Sequence, residues 1–170
     1  MTGELRYTTF NTDMGWVGIL ASVKGLVATT LPQRSAEEAH QLLGVSTSQA
    51  TWSPSRFADL VERLKAYFSG GKVTFSDELD LSGATPFQRE VWETTRLIPY
   101  GKTRSYLWVA EQTKRPKAAR AVGQALGRNP LAVIVPCHRV IASDGKLGGF
   151  GGGVEMKKHL LYREAKAITG

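Results

Sequence analysis

Residues 105–126, SYLWVAEQTKRPKAARAVGQAL, predict two short helices separated by a break. The first helical run covers residues 105–113, and the second covers residues 117–126. Lys114-Arg115-Pro116 lies between them, and the residue before a proline disfavours helical backbone. A short helix, a tight turn and a second, basic helix have the form of a helix-turn-helix. Because paired helices are common in any all-α region, this pattern alone leaves DNA binding open.

Positive charge is concentrated in the half of the chain that holds these helices. Residues 83–170 contain 15 Lys and Arg against 6 Asp and Glu, whereas residues 1–82 contain 7 against 9. The net charges are therefore +9 and −2, which together give the +7 of the whole chain. Such asymmetry points toward a polyanion, most simply nucleic acid, with a solvated basic face as the alternative.

The second helix of the motif carries one long side chain among small ones. Arg120 is surrounded by Ala118, Ala119, Ala121 and Gly123. A helix that reads base sequence in the major groove needs several long polar side chains. This composition favours close approach to DNA, with contact to its shape and backbone. The alternative is that the alanines pack in the core.

The flanking helices carry their own end signals. Thr85, Pro86 and Gln88 have the form of a capping box with proline in the first turn. The core side of this helix is predicted to include Phe87, Val91, Trp92 and Leu97. The last helix is predicted to pack through Val154, Leu160, Leu161 and Ile168.

The first half of the chain predicts a small sheet with two helices. Residues 5–10 and 16–31 are strand-like, with a hairpin turn at Lys24-Gly25. Ser35 and Ser53 are predicted to cap the two helices. A further short strand is expected near residues 73–75, and a domain boundary in the polar connection that follows. The predicted domains are residues 1–82 and 83–170.

Composition excludes several classes of protein. A chain of 170 residues with 42% hydrophobic and 22% charged residues is typical of a globular protein of one or two domains. No apolar run reaches the length of a membrane span, and the N-terminus lacks the pattern of a signal peptide. One cysteine and three scattered histidines predict no disulfide, metal or cofactor and favour a reducing, cytoplasmic location.

The single cysteine lies in residues 132–142, AVIVPCHRVIA. Residues 131–135 predict a buried strand that Pro136 ends, so the following residues form an irregular bend. Such a bend could place Cys137 in a cavity with His138 as a base acting directly or through water. Glu164 is a candidate partner for His138. The alternative is a buried cysteine that acts as a small hydrophobic residue.

Three segments together resemble the O6-alkylguanine-DNA alkyltransferases. They are TPFQREVWETTRLIPYGKTRSY (85–106), KAARAVGQALGRNP (117–130) and IVPCHRVIASDGKLGGFGGG (134–153). The resemblance covers residues 85–164 almost continuously. It implies an α/β (α+β) fold, with a small ribonuclease-H-like sheet-and-helix domain followed by a winged helix-turn-helix-type domain that holds the active site.

The resemblance also implies roles for individual residues. Cys137 would accept the alkyl group from a flipped-out base, and His138, oriented by Glu164, would deprotonate it through a water. Tyr106 would protonate the leaving guanine, and Asn129 would brace the turn before the cysteine. The DNA contacts implied are Ser105, Tyr106, Ala118, Ala119, Arg120, Gly123 and Arg128. The implied alkylguanine pocket comprises Pro136, Arg139, Val140, Phe150 and Gly151.

The implied partner is double-stranded DNA containing O6-alkylguanine, bound through the minor groove with little sequence specificity. O4-alkylthymine is a second expected substrate, and the protein is expected to be a monomer, with clustering on DNA left open. The usual Gly-Tyr-Ser of the family loop is Gly149-Phe150-Gly151 here, so two hydroxyls of the pocket are absent. The zinc ligands of some relatives are also absent.

Two other functions remain open on the sequence. A thiol hydrolase could use Cys137, His138 and Glu164, and it would turn over repeatedly. A non-catalytic module could bind alkylated bases, although relatives of that kind lack the cysteine. By contrast, an alkyl transfer would be single-turnover, because a thioether has no carbonyl for water to attack.

Overall fold

The computed structural model describes residues 4–150 and 152–169. The chain divides into two compact units. The first comprises Met1–Ser82 together with Pro130–Ile134, and the second comprises Gly83–Asn129 together with Val135–Gly170. Residues just before the cysteine thus pack with residues from far earlier in the chain.

The first unit is built on a four-stranded sheet in the order β3-β2-β1-β4. Its strands are β1 (Leu5–Thr12), β2 (Gly15–Ala21), β3 (Leu26–Thr29) and β4 (Ala50–Trp52). β1 and β2 pair antiparallel, as do β2 and β3, whereas β4 pairs parallel to β1. The hairpin predicted at Lys24-Gly25 is confirmed, since Ser22 N donates to Gly25 O at 2.9 Å.

Two helices complete the first unit, α1 (Ala36–Leu42) and α2 (Ala58–Phe68). The predicted cap of α1 is confirmed, because Ser35 Oγ accepts from Glu38 N at 3.1 Å. The predicted cap of α2 is wrong. A 3₁₀ turn at Pro54–Phe57 precedes the helix, and Ser53 Oγ instead accepts from Arg6 and donates to the Thr51 carbonyl.

The strand predicted near residues 73–75 is also wrong. Residues 71–78 form an irregular segment that leads to one bridge, between Leu79 and Leu26. Arg63 of α2 holds this segment with two hydrogen bonds of 2.8 and 2.7 Å to the Asp77 carboxylate. The segment is therefore held by the bidentate contact between Arg63 and Asp77, and the strand pairing predicted for residues 73–75 is not formed.

The second unit is mainly helical. Its elements are α3 (Pro86–Thr95), β5 (Arg104–Ser105), α4 (Tyr106–Gln112), α5 (Ala119–Gly127), β6 (Val140–Ile141) and α6 (Val154–Thr169). The capping box of α3 is confirmed, with reciprocal bonds of 3.1 and 3.0 Å between Thr85 and Gln88. Trp92 of α3 donates to the Ala125 carbonyl of α5 at 2.8 Å, and β5 pairs parallel to β6.

Some predicted core positions of this unit are exposed. Leu97 is 71% exposed, because α3 ends at Thr95 and the helical spacing lapses, so that Ile98 is buried instead. On α6, Val154 and Ile168 are 49% and 40% exposed. The buried residues of α6 are Lys157, Leu160 and Glu164, two of them ionisable.

None of the helices in the described part of the chain is both long enough and apolar enough to cross a membrane.

Candidate active site

The segment before the cysteine is buried, but it is not the predicted strand. Leu131, Val133, Ile134 and Val135 are each at most 3% exposed. Val133 has φ 70°, and Ile134 N donates to Ala132 O at 2.8 Å, so the chain turns at Val133. The run of apolar residues correctly predicts that this segment is buried, but nothing in it indicates a left-handed turn at Val133.

The bend predicted after Pro136 is present as a 3₁₀ turn over Cys137–Arg139. Cys137 N donates to Val135 O at 2.8 Å across Pro136. Because successive residues of a 3₁₀ turn are rotated by about a third of a circle, Cys137 and His138 do not alternate as they would in a strand. His138 and Arg139 are directed into the core, while Cys137 stays partly exposed.

The Cys137 thiol is held by Asn129, which follows α5. Asn129 Nδ2 lies 3.3 Å from Sγ and donates to Val135 O at 3.0 Å. Burial raises the pKa of Cys137, while the Asn129 hydrogen bond and the charge of Lys157 lower it. Hydrogen bonds from Asn129 and from the backbone, together with one cation, therefore oppose the desolvation of the thiolate.

A buried charge network lies next to the thiol. His138 Nε2 is 2.5 Å from Oε2 of Glu164. Arg139 Nε donates to Glu164 Oε1 at 2.8 Å, and Gly101 N donates to the same oxygen at 3.0 Å. Arg139 also donates to the Ile98 carbonyl at 2.9 Å. Glu164 thus binds groups from two other stretches of the second unit, residues 138–139 and Gly101.

The protonation states follow from these contacts. Burial lowers the pKa of His138, and the hydrogen bond to Glu164 only partly opposes it. For Glu164, burial acts to raise the pKa, but the bonds from His138 and Arg139 outweigh it and bring the pKa to about 2. A neutral imidazole beside an ionised carboxylate is able to accept a proton, since the carboxylate stabilises the imidazolium that forms.

Lys157 is a residue of this site that the sequence analysis missed. Its side chain is buried, and Nζ donates to the carbonyls of Leu147 and Gly149 and lies 3.5 Å from the Tyr106 hydroxyl. Burial lowers the pKa of Lys157, and Cys137 opposes this. The sequence spacing could have indicated its burial. Lys157 precedes Leu160 by three residues and Glu164 by seven, so the three share one face of α6.

Tyr106, at the start of α4, packs against the glycine-rich loop that contains Gly148 and Gly149. Gly148 has φ 71°, and a Cβ built there would lie 2.5 Å from the Tyr106 hydroxyl. Gly123 of α5 approaches the same ring, with a Cβ position 3.7 Å from Cε1. Burial raises the pKa of Tyr106, and the nearby Cys137 raises it further. Glycine at position 148 lets the backbone approach the phenol closely, whereas a Cβ at position 123 would make an ordinary van der Waals contact.

The predicted DNA contacts lie on α4, α5 and the turn after α5. Ser105 Oγ caps α4 by accepting from Trp108 N at 2.9 Å. Arg120 and Arg128 are exposed, whereas Ala118, Ala119 and Gly123 are half-buried. The small residues are thus neither fully packed in the core nor fully exposed, and their contact with DNA stays a prediction.

The residues predicted to line the pocket differ in burial and in their contacts. Pro136 and Val140 are buried, and Phe150 is half-buried. Arg139 points away toward Glu164 and lies over the Tyr100 ring at 5.6 Å, so it belongs to the charge network. Gly151 lies outside the described residues. Within residues 4–150 and 152–169, no group of three or more His, Cys, Asp or Glu side chains is placed to hold a metal ion.

Two family models match the chain. Residues 5–81 match the ribonuclease-like domain of 6-O-methylguanine DNA methyltransferase, and residues 86–166 match its DNA-binding domain. These matches confirm the predicted α/β fold class, with a sheet domain before a helical domain.

Individual relatives point to the same family as the family models. A methylated-DNA–protein-cysteine methyltransferase of Mycobacterium bovis is 44% identical over 160 residues, which is 94% of this chain and 92% of the relative. One of Mycolicibacterium paratuberculosis is 54% identical over 116 residues, 68% of this chain and 70% of the relative. The crystal structure of Mycobacterium tuberculosis OGT in complex with DNA aligns with a TM-score of 0.80 at 41% identity, covering 95% of this chain and 94% of that one.

Proposed function

The chain belongs to the methylated-DNA–protein-cysteine methyltransferase family, and we propose that Sγ of Cys137 accepts alkyl groups from O6 of guanine in duplex DNA. The activity for which the curated relatives are named requires a cysteine acceptor, and Cys137 is the single cysteine of the sequence. The observation that carries the proposal is the placement of this thiol, 3.3 Å from Asn129 Nδ2 and one residue before the buried His138–Glu164 pair.

The reaction begins with proton removal from Cys137. His138, neutral at rest, takes the proton through a bridging water, and Glu164 stabilises the resulting imidazolium. The thiolate attacks the sp³ carbon of the alkyl group, so that the S–C bond forms as the C–O6 bond breaks and the electron pair stays on the guanine. Tyr106 donates a proton to the leaving base. Guanine is released with its carbonyl at O6, and Cys137 carries a thioether.

The transfer is single-turnover on this mechanism. A thioether presents no carbonyl that water could attack, and the chain has no second cysteine to receive the group. Alkylation also replaces the thiolate that accepts the Asn129 hydrogen bond. A free reactive thiol persists best in a reducing compartment, which supports a cytoplasmic location.

DNA binding in this proposal uses α4, α5 and their flanks. α5 enters the minor groove, where its small residues allow close approach and Arg120 fills the space left by the flipped nucleotide. Ser105 and Arg128 contact the backbone, so affinity depends little on base sequence. O4-alkylthymine is the second substrate proposed, and the protein acts as a monomer, with clustering along DNA as a further outcome to measure.

A mass experiment tests the proposal. The full chain is incubated with duplex DNA containing O6-methylguanine, and the peptide with Cys137 is expected to gain one methyl group, about 14 Da, in a 1:1 ratio to repaired base. Cys137→Ala should bind this DNA without gaining mass. A mass gain at another residue overturns the assignment of Cys137. Repeated turnover would indicate a hydrolase, and tight binding without modification a non-catalytic module.

A further inference from the structure

The backbone that leads into Cys137 has a strained conformation. Val133 has φ 70°, a region that β-branched residues rarely occupy. Ile134 N donates to Ala132 O at 2.8 Å, which closes a three-residue turn around Val133. Such strain persists only where the surroundings over-determine it, and it is common at functional sites.

Thr29, the last residue of β3, supplies those surroundings. Thr29 N donates to Pro130 O at 3.0 Å, and Ala132 N donates to Thr29 O at 3.3 Å. The Thr29 hydroxyl donates to Ala132 O at 2.7 Å. The carbonyl that closes the turn at Val133 therefore accepts two hydrogen bonds, one from the turn and one from Thr29.

The Val133 side chain adds to this restraint. It is 3% exposed, and its neighbours Leu131 and Ile134 are buried as well. Three hydrogen bonds and a buried side chain thus hold a turn that the sequence disfavours. Directly after it, Val135 O accepts from both Cys137 N and Asn129 Nδ2, so that Val135 joins the restrained segment to the reacting residue.

We propose that Thr29 and Val133 are positioning residues for alkyl transfer. The Thr29 hydroxyl holds the left-handed turn at Val133, and this turn fixes the backbone of residues 132–134, which continues directly into Val135 and Cys137. The proposal rests on the function proposed above, in which Cys137 is the acceptor. It gives β3 a part in the reaction through the conformation of residues 130–134.

The test compares three threonine variants in the full chain. Thr29→Val keeps the shape and removes the hydroxyl, whereas Thr29→Ser keeps the hydroxyl. Thr30→Val is the control, because the neighbouring Thr30 is also buried and its hydroxyl accepts from Gly18 N within the sheet. Methyl transfer from O6-methylguanine duplex is followed in single turnover, and the maximal rate is separated from the half-saturating DNA concentration.

We expect Thr29→Val to lower the maximal rate at least about fivefold with the half-saturating concentration changed less than about twofold. Thr29→Ser and Thr30→Val should both stay near the wild-type rate. Equal rates for Thr29→Val and Thr30→Val would overturn the proposal. A wild-type chain that transfers no methyl group would instead contradict the proposed function itself.

A second pair covers the case in which Thr29→Val does not fold. Glycine adopts φ 70° freely, whereas alanine does not. If the turn positions Cys137, Val133→Gly should react faster than Val133→Ala, although it removes more buried surface. If Val133 only fills space, alanine should be the faster variant, and that order would refute the role of the turn.

Discussion

His138 Nε2 lies 2.5 Å from Oε2 of Glu164, and both side chains are 1% exposed. The pair makes a proton acceptor possible in a place where a lone imidazole could not easily carry charge. Glu164 belongs to α6, so the pair joins the turn over Cys137–Arg139 to this helix. Glu164 also accepts hydrogen bonds from Arg139 and from Gly101, which follows α3. These contacts therefore hold three parts of the second unit together.

The pKa of Glu164 predicts a loss of stability in acid. Its folded pKa of about 2 lies below the ordinary value of 4.5, so the folded state binds fewer protons. The contribution of this carboxylate, about 3 kcal/mol at neutral pH, is fully present above pH 4.5 and is lost as the pH falls toward 2. His138, whose pKa is lowered, adds a loss that begins below its ordinary pKa of 6.5.

The measurement is the free energy of urea unfolding between pH 7 and pH 2, which spans the ordinary and the folded pKa of Glu164. Glu164→Gln should be less stable at pH 7 and show a weaker dependence on pH. Glu155→Gln, at an exposed position near the start of α6, is the matched control and should follow the wild type. A wild-type stability that rises on acidification would contradict the assignment.

Removal of Asn129 should make the thiol less reactive. Asn129→Ala deletes the donor to Sγ, so the pKa of Cys137 should rise, and reaction with iodoacetamide at pH 7 should slow about tenfold. Asn129→Asp should slow it further, because a carboxylate repels the thiolate. The pH dependence of thiol alkylation is the measurement, and Gln112→Ala, exposed at the end of α4, is the control. An unchanged midpoint would show that Asn129 only braces Val135.

Lys157→Met should separate reactivity from stability. The variant keeps the length of the side chain but removes a cation that lowers the pKa of Cys137, so the midpoint of thiol alkylation should move to higher pH. Removal of the ammonium relieves its desolvation cost but takes the donor from the Leu147 and Gly149 carbonyls, so the thermal midpoint should change little. Lys158→Met, on the exposed face of α6, is the matched control. If both variants titrate like the wild type, Lys157 has no electrostatic effect on the thiol.

Gly148→Ala tests the packing of the glycine-rich loop on Tyr106. The new methyl group would meet the phenol, so the transfer rate should fall about tenfold or more. Gly145→Ala is the control, since Gly145 has a similar φ of 87° with open space around its Cβ position. Both variants carry about 1–2 kcal/mol of backbone strain. A transfer rate as slow in Gly145→Ala would assign the effect to strain alone.

Arg120→Ala should affect duplex DNA more than the free base. Loss of the side chain that fills the vacated stack should slow repair of duplex O6-methylguanine about tenfold, or about 1.4 kcal/mol. Reaction with free O6-benzylguanine should stay near the wild-type rate. Lys166→Ala, exposed near the end of α6, controls for the loss of one positive charge. Equal losses on both substrates would remove the proposed flipping role.

Local chemistry explains what could be predicted. The helix caps and the hairpin turn depend on residues within four positions of each other, so Ser35, Thr85 and Gly25 could be assigned from the sequence. The fold class followed from the family segments. Ser53 and residues 73–75 were assigned wrongly. The Ser53 hydroxyl binds Arg6 instead of a helix N–H, and Arg63 holds the irregular segment through the Asp77 carboxylate.

The sequence by itself determined the family, the single thiol and the irregular bend at Pro136. Each depends on residue identity or on the missing N–H of proline. Only the tertiary structure decided that Lys157 is buried against the glycine-rich loop and that Thr29 restrains the turn at Val133. These contacts join residues far apart along the chain. The cost of removing Lys157 from water, and the hydrogen bonds that offset this cost, both arise only once the core has closed.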